Sequence, residues 1–346
     1  MVSIYDLSLA ELEEFCSGLG ERPYRSRQLY SWLYGKGVTD FNDMTDISAA
    51  VREKLETGAR ADDLVLAETL SSADGQTTKH LFKLDDDDYI EAVFMKYRNR
   101  NSICISTQAG CRMGCVFCAS GLNGLIRNLS PSEMALQVIL SERAAEAFTK
   151  NIVLMGVGEP LDNYENVKKF IENITDDHGR DLSRRAITIS TCGLVPGIER
   201  LAKELPQVNL AVSLHAPNDA LRTEIMPITK KYGVNEVVKA TKAHYEITHR
   251  RSTFEYALID GFNDSIRHAQ ELAALLKGMN CLVNLIPLNR TSKDAGKGSS
   301  AETAERFREE LGKRHVPATV RKSLGEDIGA ACGQLRLKKI RSETPL

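Results

Sequence analysis

From residue 102 onward the chain alternates between short apolar runs and amphipathic stretches of helical period. The runs cover residues 102–107, 151–156, 185–190, 208–214, 253–259 and 282–288, each too short for a helix and rich in Ile, Val, Leu or Thr. Between them, apolar residues recur every three or four positions. The best-marked helix start is Ser130-Pro131-Ser132-Glu133, with an N-cap serine, proline at the first helical position and glutamate at the third. Another predicted helix runs from Asp264, with Ile266, Ala269, Leu272, Ala273 and Leu276 on one stripe. Strand and helix in regular succession predict an α/β fold with a parallel sheet and right-handed crossovers. Six such strands fall short of the eight of a closed barrel. The expectation is therefore a curved, partial (β/α)6 barrel with a wide mouth and its chemistry at the carboxyl ends of the strands.

The pattern before residue 102 is different. Residues 1–60 read as a small separate helical unit, opening with the capping box Ser8-Leu9-Ala10-Glu11 and continuing over 24–34 and 47–55. Strand-like runs at 64–70, 77–84 and 89–97, separated by Asp74-Gly75 and the aspartates of 85–88, predict an antiparallel β extension over 61–100, with the aspartates in a solvated turn. The barrel core then occupies 101–290. In the remaining segment, 291–346, a Ser/Gly/Lys-rich loop over 291–300 leads into a second capping box, Ser299-Ser300-Ala301-Glu302, and a helix to about residue 314. A strand over 318–322 and a glycine-rich stretch with Cys332 follow.

Composition narrows the setting. With 42% hydrophobic and 27% charged residues, and no apolar tract long enough for a membrane span, the chain reads as a globular protein with no membrane partner. Its first ten residues carry neither a basic nor an apolar leader region, so a cytoplasmic location is expected. A net charge of -2 argues against coating nucleic acid by bulk charge and leaves room for local patches. Three patches stand out: Arg22, Arg25 and Arg27 among Tyr24, Tyr30, Trp32 and Tyr34; Lys96, Arg98 and Arg100; and Arg336, Lys338, Lys339 and Arg341. The first suggests an RNA-gripping adaptor, with phosphates on arginine and bases on aromatics.

Eight cysteines, three of them within Cys111-Arg112-Met113-Gly114-Cys115-Val116-Phe117-Cys118, fit metal or redox chemistry in a reducing compartment better than a disulfide framework. Three thiolates spaced x3 then x2 can converge on one soft metal centre, one ligand short of a closed site. An iron with an open position can bind and reduce a small molecule, and this spacing is the one radical S-adenosylmethionine (SAM) enzymes use to hold a [4Fe–4S] cluster. A zinc completed by a distant Cys or His, or three metal-free thiols, are the alternatives. The motif begins four residues after the first core strand, on the expected catalytic end. Met155-Gly156-Val157-Gly158-Glu159-Pro160 follows the second strand, where glycines allow close backbone approach to a ligand.

Gly158-Glu159-Pro160, Ile189-Ser190-Thr191, Ser213-Leu214-His215, Asn284-Leu285-Ile286-Pro287 and the segment from Asp327 through Ala331-Cys332-Gly333-Gln334-Leu335, taken together, resemble the RlmN/Cfr family of radical SAM RNA adenine methyltransferases, its RlmN branch most closely. The likeness runs from about residue 9 to residue 335. It implies a radical SAM partial (β/α)6 barrel with an N-terminal helical accessory domain and a short antiparallel β extension.

The resemblance also implies roles. Cys111, Cys115 and Cys118 would hold a [4Fe–4S] cluster. Gly158, Glu159, Ser190, Ser213, Leu214, His215 and Asn289 match SAM-contacting positions. Cys332 matches a cysteine methylated by one SAM, while a second SAM supplies the radical. Cys104 matches a second catalytic cysteine, and Glu91 a proton acceptor. The implied reaction methylates carbon 2 of an adenosine in 23S rRNA, and in tRNA, by way of a covalent RNA adduct on Cys332 that Cys104 resolves, leaving a transient disulfide. A flavodoxin- or ferredoxin-type electron donor and a monomeric enzyme are expected.

Taken without its companions, Cys104 is a small core residue of an apolar strand, and alternation places Glu91 with Tyr89 and Val93 without showing which face turns inward. Cys16, Cys192 and Cys281 read as structural. Val157 stands where the family usually has Met, and Gly329 where it usually has Asp. The competing expectations are methylation at carbon 8 of the same base, a radical SAM enzyme with another substrate, and a non-catalytic RNA-binding protein with a structural zinc.

Overall fold

The computed structural model describes residues 1–61, 64–98, 100–288, 296–321 and 328. Asn289, Gly329 and Cys332 lie outside them. Strands β1 (Val2–Ser3) and β2 (Ala59–Arg60) form a short parallel pair that closes the N-terminal unit. The strands β3 (Val65–Ser71), β4 (Thr77–Lys83), β5 (Tyr89–Met95), β6 (Ser102–Cys104), β9 (Asn151–Leu154), β10 (Ile187–Thr191), β11 (Asn209–Ser213), β12 (Ser252–Leu258), β13 (Cys281–Pro287) and β14 (Ala318–Val320) make one sheet, each paired with its neighbour in that sequence. A separate hairpin, β7 (Gln108–Gly110) with β8 (Leu125–Asn128), brackets the cysteine loop.

From β6 to β13 the six expected strands run parallel, and β14 extends them in the same direction. The antiparallel strands β3 to β5 continue the sheet through the β5–β6 pairing, so this β extension is part of the barrel's own wall. Parallel partners share a face, which gives the two faces opposite character. Ile103, Ile152, Leu154, Ile189, Val212, Phe254 and Val283 lie on the outer face, buried at 1% exposure or less beneath helices. The alternate residues form the inner wall, where Cys104, Thr188, Ser190, Ser213, Glu255, Asn284 and Thr319 are interspersed with Val153, Ala211 and Leu282. A sheet of half-polar strands thus buries its apolar side and keeps a lumen of hydroxyls, amides and a carboxylate.

The helices on the outside are α4 (Pro131–Ala145), α5 (Tyr164–Ile174), α6 (Val195–Glu204), α7 (Asp219–Ile225), α8 (Val234–Thr248), α9 (Ile266–Leu275) and α10 (Ala301–Lys313). Helix α4 begins with the expected reciprocal cap between Ser130 and Glu133. At α10 the cap is Ser300, whose hydroxyl accepts from the Thr303 amide, one residue later than expected and without a capping box.

The N-terminal unit holds α1 (Leu9–Gly18), α2 (Tyr24–Tyr30), a π-helical turn at Ser31–Gly35 and α3 (Ala49–Gly58). This unit packs closely on the barrel. Its core is continuous with that of the barrel, and polar contacts stitch it to α4 and α5: the Ser132 amide donates to Asp6 at 2.8 Å, Lys169 pairs with Glu11 at 2.7 Å, and Tyr30 Oη donates to Asn173 O at 3.1 Å. The aromatic grip expected here is corrected. Tyr30, Trp32 and Tyr34 are buried, the last donating to Tyr5 O at 2.6 Å, and only Tyr24 is exposed. Tyr30 and Tyr34, four residues apart, share a helix face that meets Asn173 of α5, while Trp32 donates to Asp46 within the N-terminal unit. No helix among the described residues is long and apolar enough to cross a membrane.

Candidate active site at the carboxyl ends of the parallel strands

The cysteine loop leaves the barrel at the carboxyl end of β6 and is held on three sides. At its base the Cys111 amide donates to Gly124 O at 2.8 Å, and Gly110, at φ +77°, lies so close that a Cβ there would sit 2.0 Å from that same oxygen. Only glycine fits such a turn. Arg112 forks onto Asp162 at 2.8 and 2.6 Å, and Asp162 also accepts from Gln108 Nε2 at 3.0 Å. On the far side, the Val116 amide donates to Ile225 O at the end of α7 at 3.0 Å.

Burial pushes the Cys111 thiol up to about 12 and also raises that of Cys115, to which the nearby Cys118 and Cys111 charges add. Thiols raised in this way become thiolates together only around a metal cation. Among the described residues, Asp176, Asp177 and His178 also bring three ligand atoms within 4.8 Å of one another, away from this loop.

Around this loop the sequence-predicted SAM positions gather on the strand ends. Gly158 and Glu159 follow β9. Gly158 adopts φ +114°, where a Cβ would meet Gln108 N at 2.8 Å. The Glu159 carboxylate is buried and accepts from the amides of Leu161 at 3.1 Å and Cys192 at 2.7 Å. Its side chain therefore braces the β9 and β10 ends. Ser190 sits near the end of β10, Ser213 ends β11, and Leu214 and His215 follow directly. His215 takes φ +58°, and its Nδ1 accepts from the Ala257 amide at 2.9 Å, which leaves Nε2 as the protonated donor. Burial, with help from the Arg222 charge, holds this imidazole down to about 3, so it is neutral at physiological pH. The Phe117 ring meets it edge-on at 4.8 Å.

Cys104 ends β6 on the inner wall. Val93 lies opposite it across the antiparallel register, so Glu91, two residues along β5, shares its face, which settles the inward direction left open by alternation. Ser106 Oγ donates to Glu91 O at 2.7 Å. The Glu91 carboxylate is 3.1 Å from Lys79 Nζ, with exposures of 3% and 0%. Burial pushes the Cys104 thiol up to about 11; the Arg321 and Lys79 charges and a main-chain hydrogen bond at Met155 oppose that rise, and the Glu91 charge adds to it.

Three residues that the sequence reading passed over belong to this site. Lys79 faces inward beside Glu91, a position that strand alternation alone could have flagged. Cys192, read as structural, is buried against Glu159 and Cys115. Arg222 is fully buried below the cysteine loop, and nothing in its helical context marks it.

Comparison with known proteins agrees with this geometry. Residues 105–273 match the radical SAM superfamily, and residues 2–60 match the family described as the ribosomal RNA large subunit methyltransferase N-terminal domain. A probable dual-specificity RNA methyltransferase RlmN of Desulforamulus reducens is 47% identical over 97% of this chain and 96% of its own. A counterpart from a Thermoanaerobacter species is 48% identical over 99% of both chains. The crystal structure of a radical SAM methyltransferase from Sphaerobacter thermophilus superposes with a TM-score of 0.93 at 45% identity, over 96% of this chain and 99% of that one. Fold and cysteine loop thus define a radical SAM enzyme, with a [4Fe–4S] cluster and SAM as its cofactors. Within that class, the chain belongs to the RlmN family of RNA methyltransferases.

Proposed function

We propose that this enzyme methylates carbon 2 of an adenosine in 23S rRNA, and in tRNA, through a carbon carried on Cys332, with two SAM molecules used per turnover. The observation that carries the reading is the pairing of Cys104 with Glu91 on one inner face, in a lumen beneath the cysteine loop. A generic radical enzyme has no use for a buried thiol and a carboxylate set side by side there.

An adenine ring carbon is electron-poor and has no lone pair to attack a methyl group, so polar transfer fails. The cluster and SAM supply the one-electron chemistry that replaces it. The chain supplies the rest. Cys332 bears the carbon that joins the ring, and Glu91 takes the ring proton. The Cys104 thiolate then attacks the Cys332 sulfur: an S–S bond forms, the bond from sulfur to the transferred methylene carbon breaks, its electron pair goes to that carbon, and a proton from water completes the methyl group of the departing RNA. Two electrons from an external donor, of flavodoxin or ferredoxin type, reset both thiols. Cys111, Cys115 and Cys118 hold the cluster, and Gly158, Glu159, Ser190, Ser213, Leu214, His215 and Asn289 position SAM.

The test is anaerobic turnover on RNA fragments followed by nucleoside mass analysis against synthetic standards. 2-Methyladenosine is expected from wild type, none from Cys332→Ala, and RNA bound covalently to protein from Cys104→Ala. A product consisting only of 8-methyladenosine would overturn the assignment of position, and full turnover by Cys332→Ala would overturn the cysteine route.

A further inference from the structure

Helix α7 carries Arg222 at its centre, and the guanidinium is inserted beneath the cysteine loop against the ends of two barrel strands. Its Nε donates to Leu214 O at 3.0 Å. One terminal nitrogen reaches Thr229 Oγ1 at 3.1 Å and Tyr232 O at 3.4 Å, and the other reaches Cys192 O at 2.6 Å and Ser213 O at 3.1 Å. The side chain is fully buried.

Every one of these partners is a carbonyl or a hydroxyl, and among the described residues Arg222 makes no ion pair with a carboxylate. Hydrogen bonding is therefore satisfied while the charge is not, and a buried charge without a counter-charge is costly. The one carboxylate whose charge reaches it is Asp219, and its Oδ1 is taken by the Val234 amide at 2.6 Å at the start of α8. Cys115, a ligand of the iron–sulfur site, packs on the same buried cluster as Cys192, Ile225 and Met226, and it stands on a loop that α7 itself grips through Ile225 O.

We propose that Arg222 is the built-in counter-charge of the iron–sulfur site, a positioning residue whose fixed positive charge favours the reduced, more anionic state of the cluster. This rests on the cluster assignment to Cys111, Cys115 and Cys118. A cluster held by three thiolates carries net negative charge, and gains one more unit on reduction. A fixed cation in the low-dielectric layer beneath it stabilises the reduced form more than the oxidised one. The reduction potential is then set partly by a residue that touches neither iron nor SAM. The fork of donors to Cys192, Ser213 and Leu214 keeps that charge in place.

The test separates charge from hydrogen bonding. Arg222→Lys keeps the charge and loses the fork; Arg222→Gln keeps amide donors and loses the charge. Redox titration of the anaerobically reconstituted protein, followed by the electron paramagnetic resonance signal of the reduced cluster, should give Arg222→Lys a midpoint close to wild type. For Arg222→Gln the midpoint should move to more negative potential, so that at the wild-type midpoint the ratio of reduced to oxidised cluster falls about ten-fold. An unchanged midpoint in Arg222→Gln, or an equal shift in both variants, overturns the proposal.

Urea unfolding of the iron-free proteins provides a second readout. Without the cluster the charge is a liability, so Arg222→Gln should be no less stable than Arg222→Lys, and an unfolded glutamine variant beside a folded lysine variant also overturns the proposal. A wild-type protein that takes up no iron would instead defeat the cluster assignment itself.

Discussion

Lys79 and Glu91 lie 3.1 Å apart on neighbouring strands with almost no exposure, so each makes the other's burial tolerable. Replacing Lys79 with Met should cost about 3–5 kcal/mol in urea unfolding, whereas adding Glu91→Leu to it should recover much of the loss. A double variant no more stable than Lys79→Met would show that the pair is not the source of the cost. Cys104, beside them, has its thiol pushed up to about 11 by burial. At neutral pH it is protonated, so on the proposed cysteine route release of the RNA adduct should speed up about ten-fold per pH unit between about 7 and 9 as the thiolate fraction grows. Rapid-quench measurement of adduct decay checks this, and a flat profile would mean that a neighbouring base removes the proton within the step. Gly158→Ala would press a methyl group against Gln108 at a φ of +114°, with an expected loss of about 2 kcal/mol or more and weakened SAM binding, read by calorimetry.

Among the elements, the N-terminal helices show how one composition serves two different ends. Tyrosine, tryptophan and arginine in close succession look like a surface for RNA, yet the Tyr34 hydroxyl is a buried junction. It donates to Tyr5 O at 2.6 Å and accepts from Asn173 Nδ2 at 3.1 Å, joining the N-terminal helices to α5. Tyr34→Phe should therefore destabilise the protein by about 1–3 kcal/mol and leave RNA affinity unchanged in filter binding. A fall in affinity with unaltered stability would restore the aromatic grip. The β7–β8 hairpin is the element that periodicity did not show, because strands of three and four residues are too short to display a period. Its Arg127 pairs with Asp86 at 2.5 Å and with Glu133 at 2.7 Å. The aspartate run expected to be a plain solvated turn thus braces the hairpin that frames the cluster loop.

For the molecule as a whole, buried imidazoles make stability depend on pH. Burial holds His80 and His244 at about 4, against 6.5 in an unfolded chain. Between those values the unfolded chain binds more protons than the folded one, so this contribution is present above pH 6.5 and is lost as pH falls toward 4. The urea midpoint should drop from pH 7 to pH 5, and by less in the double variant His80→Phe, His244→Phe. Equal midpoints at the two pH values would contradict this.

What the sequence determined by itself is local or periodic. The alternation of apolar runs with helical stripes specified a parallel α/β barrel, because burial of one strand face and one helix stripe leaves few arrangements. The spacing of Cys111, Cys115 and Cys118 specified a soft-metal loop, because ligands close in sequence converge wherever the loop is placed. Tertiary structure decided everything that depends on which face turns inward. It set Glu91 beside Cys104 through an antiparallel register, made β3 to β5 a wall of the barrel, and turned the N-terminal aromatics into core. It also brought Arg222 beneath a loop more than a hundred residues earlier in the chain. A long-range contact of this kind leaves no period and no spacing in the sequence, since it is fixed only when separate strands and helices close on a common core.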